Sequence, residues 1–134
     1  MTLNEENRNS IVNYRFQRAK ETLAEANGSF EMGFWHATAN RLYYACYYAV
    51  TALLIKNGYT AHTHNGVLTI LSKHFVLEGL ISKEQGKLYG KILELRQKGD
   101  YSDWIVIHKE TVMPLLAPAE QFINAIENLI NENK

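Results

Sequence analysis

The 134-residue chain carries fourteen Lys plus Arg against fourteen Asp plus Glu, which is enough length for one domain with a hydrophobic core and short for two. The balanced charge excludes a global electrostatic field that would gather nucleic acid or a membrane, so any such contact must come from a local patch. The single cysteine, Cys46, excludes a disulfide framework, and the first ten residues are polar and acidic, unlike a signal peptide. We therefore expect a reduced, cytoplasmic protein.

Apolar periodicity predicts two long helices in the first half of the chain. The first runs from about Glu5 to Ala26 and is stopped by Asn27-Gly28, where Gly28 would adopt a left-handed cap. The second begins between residues 31 and 35 and ends at Asn57-Gly58, which is the same stop signal.

The second predicted helix contains residues 42–55, a stretch of fourteen residues without a formal charge. Its apolar and aromatic side chains surround the helix axis, which is typical of a helix at the centre of a bundle. The run is too short to span a bilayer, which takes about 20 apolar residues. Its four tyrosines also form a surface suited to self-association, so we predict a homodimer with Tyr44 and Tyr48 at the interface.

The second half of the chain predicts three more helices. A short third helix lies around residues 67–75 and stops at Gly79, and a capping box from Ser82 to Gln85 opens a fourth that continues to about Gly99. A loop follows over residues 100–108.

The fifth predicted helix runs from about Lys109 to Asn131, with Pro118 deep enough to bend the helix or to mark a later start. No repeat, linker or low-complexity segment interrupts the sequence. Residues 1–134 are therefore expected to form one all-α domain.

Arg96 breaks the pattern of the fourth helix. It projects into the apolar sector between Ile92 and Leu93, with Asp100 four residues further on. A guanidinium stays charged at any useful pH, so its burial requires a carboxylate or other acceptors. One interpretation is a structural Arg96–Asp100 pair, and the other is an arginine held at a cleft or dimer seam to meet phosphate.

Arg41 and His64 are further candidates for a site. Arg41 precedes the apolar stretch, where it could equally reach water as a helix-end arginine or serve a site. His62-x-His64 is the one close histidine pair, but no third ligand accompanies it and no Glu-x-x-His motif occurs, so we expect no metal centre. We expect His64 to cap or pack the start of the third helix. We also expect no cofactor and no catalytic residues, since no phosphate-binding glycine loop, nucleophile elbow or carboxylate pair is present.

Four motifs, in this order and spacing, resemble HEPN domains, the small helical domains named from higher eukaryotes and prokaryotes, and most closely their stand-alone prokaryotic branch. The motifs are Asn40-Arg41-x-Tyr43-Tyr44-Ala45, Ala49 with Ala52-Leu53-Leu54, Thr63-His64-x-Gly66-Val67, and Arg96-x-x-x-Asp100-Tyr101. The resemblance covers nearly the whole chain, because Pro114-Leu115 and Ala119 of the fifth helix also fit.

The resemblance implies a five-helix, up-and-down bundle with a short third helix, commonly dimeric. It also implies a minimal nucleotidyltransferase partner, often within a toxin–antitoxin or defence pair. Arg96 would then contact the phosphate of a nucleotide or RNA, Asp100 would orient the guanidinium, and Tyr101 would offer a ring or hydroxyl.

Many HEPN proteins are metal-independent ribonucleases with a histidine four to six residues after the arginine. Here the next histidine after Arg96 is His108, twelve residues on, so the base for ribonuclease catalysis is missing at that spacing. A nucleotide- or partner-binding module is the expected function. The alternatives are an RNA-cleaving toxin in which Arg96, Tyr101 and a distant histidine converge, and a dimeric scaffold or antitoxin without a ligand.

Overall fold

A computed structural model describes residues 4–101 and 106–132, without the side chain of Tyr101. The described residues form five α-helices and no strand, which confirms the all-α fold with a short third helix. The helices are α1 (Glu5–Glu31), α2 (Trp35–Lys56), α3 (His64–Leu71), α4 (Lys83–Tyr101) and α5 (Lys109–Glu132), and a π-helical turn (Ser72–Val76) continues α3.

α2 is the central helix of the bundle, as its all-round apolar sequence predicts. It packs against α1, α3, α4 and α5. Nine residues of its apolar stretch are buried in the main core: Leu42, Tyr43, Ala45, Cys46, Ala49, Val50, Ala52, Leu53 and Leu54. Each large aliphatic side chain buried in this way contributes about 1.5–3 kcal/mol to the hydrophobic stabilisation of the fold.

Most predicted helix ends are confirmed. α2 stops before Gly58, whose φ is +83°, and the α3 region stops before Gly79, whose φ is +77°. At the start of α4, the Ser82 hydroxyl accepts a 3.1 Å hydrogen bond from the backbone N–H of Gln85. These ends follow from local chemistry, since glycine adopts a positive φ without strain and a serine oxygen satisfies an open amide.

The predicted end of α1 at Asn27-Gly28 is wrong. α1 continues through Gly28 to Glu31, and the left-handed residue is Gly33, with a φ of +79°. The added turn brings the Phe30 ring within 5.3 Å of the Trp35 ring, in a small second cluster at this end of the bundle. This packing outweighs the weak helix propensity of one glycine, which amounts to about 1 kcal/mol.

One boundary in the second half also differs from the prediction, whereas the predicted start of α5 is confirmed. α4 passes Gly99 and ends at Tyr101, so Asp100 lies on the helix and not in a loop. α5 begins at Lys109 and includes Pro118, which therefore does not mark a later start. Within the described ranges, no helix is both long enough and apolar enough to cross a membrane.

Candidate functional site

Five side chains from α2, α3 and α4 form a polar cluster beside the core, which we call the Arg96 cluster. Its members are Tyr43, Tyr44, His64, Arg96 and Asp100. Four of these residues were candidates from the sequence, and Tyr43 belongs to the first HEPN-like motif. They meet because the start of α3 and the last turns of α4 both pack against the tyrosine-bearing part of α2.

Arg96 is buried, with 9% of its side chain exposed, whereas 34% of the Asp100 side chain reaches solvent. Its Nε lies 3.0 Å from Oδ2 of Asp100, and Nη2 donates a 3.2 Å hydrogen bond to the hydroxyl of Tyr44. The guanidinium carbon is 5.4 Å from the ring centroids of both Tyr43 and Tyr44, a cation–π distance. The predicted Arg96–Asp100 pair is therefore present, and it fixes the guanidinium at the edge of the core.

His64 is the first residue of α3, where Thr63 and not His64 provides the cap: the Thr63 hydroxyl accepts a 2.8 Å hydrogen bond from the Gly66 N–H. The His64 Nδ1 lies 2.5 Å from the hydroxyl oxygen of Tyr43. Burial, and then the positive charge of Arg96, lower the pKa of His64 below its usual value of 6.5. His64 is therefore neutral at pH 7.

A chain of phenols determines which nitrogen of His64 carries the proton. The Tyr89 hydroxyl donates to that of Tyr43 at 3.4 Å, and burial raises the pKa of Tyr43 to about 12, so this phenol stays protonated. Because a buried donor needs an acceptor, the proton of Tyr43 points to Nδ1 of His64. The neutral imidazole then carries its own proton on Nε2, which makes that nitrogen a hydrogen-bond donor.

Arg41 joins the cluster through Tyr44, with its guanidinium carbon 5.5 Å from the ring centroid. Its Nη1 is 3.2 Å from Oε1 of Glu25, and its Nε and Nη2 donate to Oδ1 of Asn40 at 3.1 and 2.8 Å. The Tyr44 ring is thus contacted by two guanidiniums. The Arg41 side chain is 30% exposed against 9% for Arg96, so solvent screens its charge more strongly and Arg41 ranks behind Arg96 as a binding residue.

The structure does not test the predicted roles of Tyr101 and Tyr48. Tyr101 is the last residue of α4, but its side chain lies outside the described part of the structure, and its role stays a prediction. Tyr48 is half-buried on α2, with the guanidinium carbon of Arg18 5.5 Å from its ring centroid. The homodimer through Tyr44 and Tyr48 also stays a prediction. Across residues 4–101 and 106–132, no group of three or more His, Cys, Asp or Glu side chains could hold a metal ion.

Sequence reasoning missed the link between His64 and Arg96 and the roles of Tyr47 and Tyr89. The ring centroid of His64 lies 5.0 Å from that of Tyr47 and 5.3 Å from that of Tyr43. The available signal was the doubled tyrosine pair in α2, whose hydroxyls need polar partners when they are buried.

Comparison with known proteins places this chain in a family. The sequence matches the HEPN domain over residues 12–129. The chain belongs to the HEPN family. This membership confirms the resemblance carried by the four motifs.

Relatives of this HEPN chain match it over most of its length. A UPF0332 protein of Thermotoga maritima is 38% identical over 124 residues, which cover 92% of this chain and 94% of the relative. A protein of Methanocaldococcus jannaschii named "Putative toxin MJ0605" is 30% identical and covers 85% of this chain, with 84% of its own length matched. The crystal structure of TT1696 from Thermus thermophilus superposes with a TM-score of 0.74, covering 87% of this chain and 96% of that one. At 16% identity, that likeness shows the fold alone.

Proposed function

We propose that this HEPN chain is a toxin-related module that binds a phosphate-bearing ligand, a nucleotide or RNA, at the Arg96 cluster and acts beside a minimal nucleotidyltransferase. The family and the name of the Methanocaldococcus jannaschii relative support the toxin-related part. The cluster supports the choice of ligand. The partner class follows from the resemblance to stand-alone prokaryotic HEPN proteins.

The observation that carries the proposal is the buried guanidinium of Arg96 beside a neutral imidazole. Only 9% of the Arg96 side chain is exposed, so its positive charge acts on an anion through a medium of lower dielectric than water. The Nε2–H of His64 is a second donor. The Tyr44 hydroxyl accepts a hydrogen bond from Arg96, and its own proton makes it a third donor. A cation and two neutral donors suit a phosphate, and Asp100 orients the guanidinium.

The phenol network argues for binding over proton abstraction. A general base for RNA cleavage would need a free lone pair on Nε2 of His64, because Nδ1 is engaged by the Tyr43 hydroxyl. The hydrogen bond from Tyr43 to Nδ1 favours the tautomer in which Nε2 carries a proton. His64 in that tautomer donates to a phosphate oxygen and does not take the proton of a 2′-hydroxyl.

Native mass spectrometry of the tagged protein isolated from its own host tests this proposal. Bound nucleotide or RNA and a bound nucleotidyltransferase are scored in the same spectra, for wild type and for Arg96→Met. Lys98→Met is the matched control, because it removes the same charge from the same helix at an exposed residue paired with Glu94. We expect ligand and partner with wild type and Lys98→Met, and loss of the ligand with Arg96→Met. Equal ligand occupancy in all three proteins would contradict the proposal.

A metal-independent RNA-cleaving toxin is the second candidate, because His64 lies close to Arg96 in space although not in sequence. We expect no cleavage of total RNA, or of a short labelled single strand, by the isolated protein in the presence of a chelator. His64→Gln is compared with His108→Gln, whose side chain is exposed. Cleavage that is lost in Arg96→Met and His64→Gln but kept in His108→Gln would establish the enzyme.

A further inference from the structure

A cavity of about 200 Å³ lies between α1, α2 and the loop that joins α2 to α3. Its walls are mainly apolar and include Leu54, Ile55 and Val67. Two aromatic residues, Tyr47 and Tyr59, also line the cavity, which is open to solvent on one side. The cavity is separate from the Arg96 cluster and has no part in the proposed phosphate contact.

One edge of the cavity is cationic. Arg15 of α1 lines it, and its Nη1 donates a 3.4 Å hydrogen bond to the hydroxyl of Thr51 on α2. Among the residues that the structure describes, no carboxylate lies within ion-pair distance of Arg15. By contrast Arg18, one turn further along the same helix, pairs with Glu21 at 2.9 Å. Arg15 thus presents a guanidinium fork to a mostly apolar space, and no carboxylate among the described residues neutralises it.

We propose that this cavity binds a small carboxylate that carries a single aromatic ring. An apolar cavity of roughly 150 Å³ holds a benzene molecule, so the volume here suits a ring with one small substituent. A carboxylate matches the planar guanidinium of Arg15 through two parallel hydrogen bonds. The rings of Tyr47 and Tyr59 provide aromatic walls for the ligand. A nucleotide is too large, because drug-sized ligands take pockets of roughly 300–1,000 Å³.

Tyr47 lines the cavity and also packs against the Arg96 cluster, with its ring centroid 5.0 Å from that of His64. A ligand in the cavity would therefore fix the position of a ring that contacts the imidazole. This contact gives a small molecule a physical route to the proposed phosphate site.

The test uses benzoate as the probe, with benzamide as its neutral isostere and phenyl phosphate as a bulkier anion. Binding is followed by NMR at the imidazole of His62, which lines the cavity. We expect benzoate to bind wild type, and benzamide to bind at least about tenfold more weakly, because the charged hydrogen bonds to Arg15 are lost. We expect phenyl phosphate also to bind more weakly than benzoate.

Three variants locate the binding. Arg15→Gln should weaken benzoate binding at least about tenfold, whereas Arg18→Gln, which removes the same charge one turn away, should change it less than about twofold. Ala61→Leu fills the cavity from the loop and should abolish binding, and circular dichroism checks that the variant is folded. If Ala61→Leu does not fold, the comparison of Arg15→Gln with Arg18→Gln decides alone.

Four results would overturn the inference: no benzoate binding at millimolar concentration, equal binding of benzamide, tighter binding of phenyl phosphate, or unchanged binding in Arg15→Gln. None of these results bears on phosphate binding at Arg96, so the two proposals can fail separately.

Discussion

The pairing of Arg96 with Asp100 makes a specific prediction about stability. We compare Arg96→Met, Asp100→Leu and the double variant with wild type. Each substitution keeps much of the side-chain volume and removes the charge. The two groups differ in exposure, with 9% of the Arg96 side chain and 34% of the Asp100 side chain reaching solvent. The two single variants should therefore differ in cost.

Asp100→Leu removes the carboxylate that lies 3.0 Å from Nε of the buried guanidinium and should lower the free energy of unfolding by about 2–3 kcal/mol. This cost lies at or below the 3–5 kcal/mol typical of a fully buried pair, since water reaches Asp100 and can partly replace it. Arg96→Met leaves a carboxylate that can turn to water and should cost about 1–2 kcal/mol. The double variant strands neither charge, so its cost should fall about 1–2 kcal/mol short of the sum of the single costs.

Urea and thermal unfolding of the four proteins measure these differences. For a chain of this length, 1 kcal/mol corresponds to about 3–4 °C in Tm, so Arg96→Met should melt about 3–8 °C below wild type. Additive costs would refute an energetic coupling between the two residues. A melt unchanged by Asp100→Leu would refute the claim that the carboxylate is needed to hold the guanidinium.

Three further predictions concern other parts of the molecule. The folded-state pKa of His64 lies below 6.5, so the unfolded chain binds more protons in mildly acidic solution. The free energy of unfolding should therefore fall as the pH decreases through 6.5 and below. Urea unfolding between pH 5.5 and 7.5 should show a weaker dependence of this free energy on pH for His64→Gln than for wild type. An equal pH dependence in the two proteins would contradict the lowered pKa of His64. Tyr48→Glu should shift the predicted homodimer towards monomer in sedimentation at micromolar concentration, and a wild type found only as a 15.4 kDa species would count against the dimer. Gly28→Ala should stabilise α1 by about 0.5–1 kcal/mol, whereas Gly33→Ala, at a φ of +79°, should cost about 1–2 kcal/mol; the reverse order in thermal melts would mean that α1 ends at Gly28.

The sequence predicted features that depend on residues close to one another along the chain. Apolar periodicity located five helices, and Gly58 and Gly79 marked stops because a positive φ is a local requirement. The i,i+4 spacing of Arg96 and Asp100 was sufficient to predict their ion pair, since residues four apart share a helix face.

Features that depend on packing between distant segments could not be predicted in this way. α1 continues past Gly28 because Phe30 packs on Trp35, and propensity alone does not encode that contact. His64 meets Tyr43 and the field of Arg96 only because α3 and α4 pack on the same part of α2. Periodicity identifies the buried face of each helix but not which polar groups of different helices will meet.

The central claim is that Arg96 gives this HEPN chain its phosphate site, and equilibrium binding to purified protein tests it most directly. Fluorescence anisotropy with a short labelled single-stranded RNA, and competition by ATP and AMP, are measured in chelator for wild type, Arg96→Met and Lys98→Met. We predict binding by wild type, at least about a tenfold loss for Arg96→Met, and less than about a twofold change for Lys98→Met, an exposed residue. Equal affinities of wild type and Arg96→Met, with both proteins folded, would contradict the claim and leave Arg96 a purely structural residue.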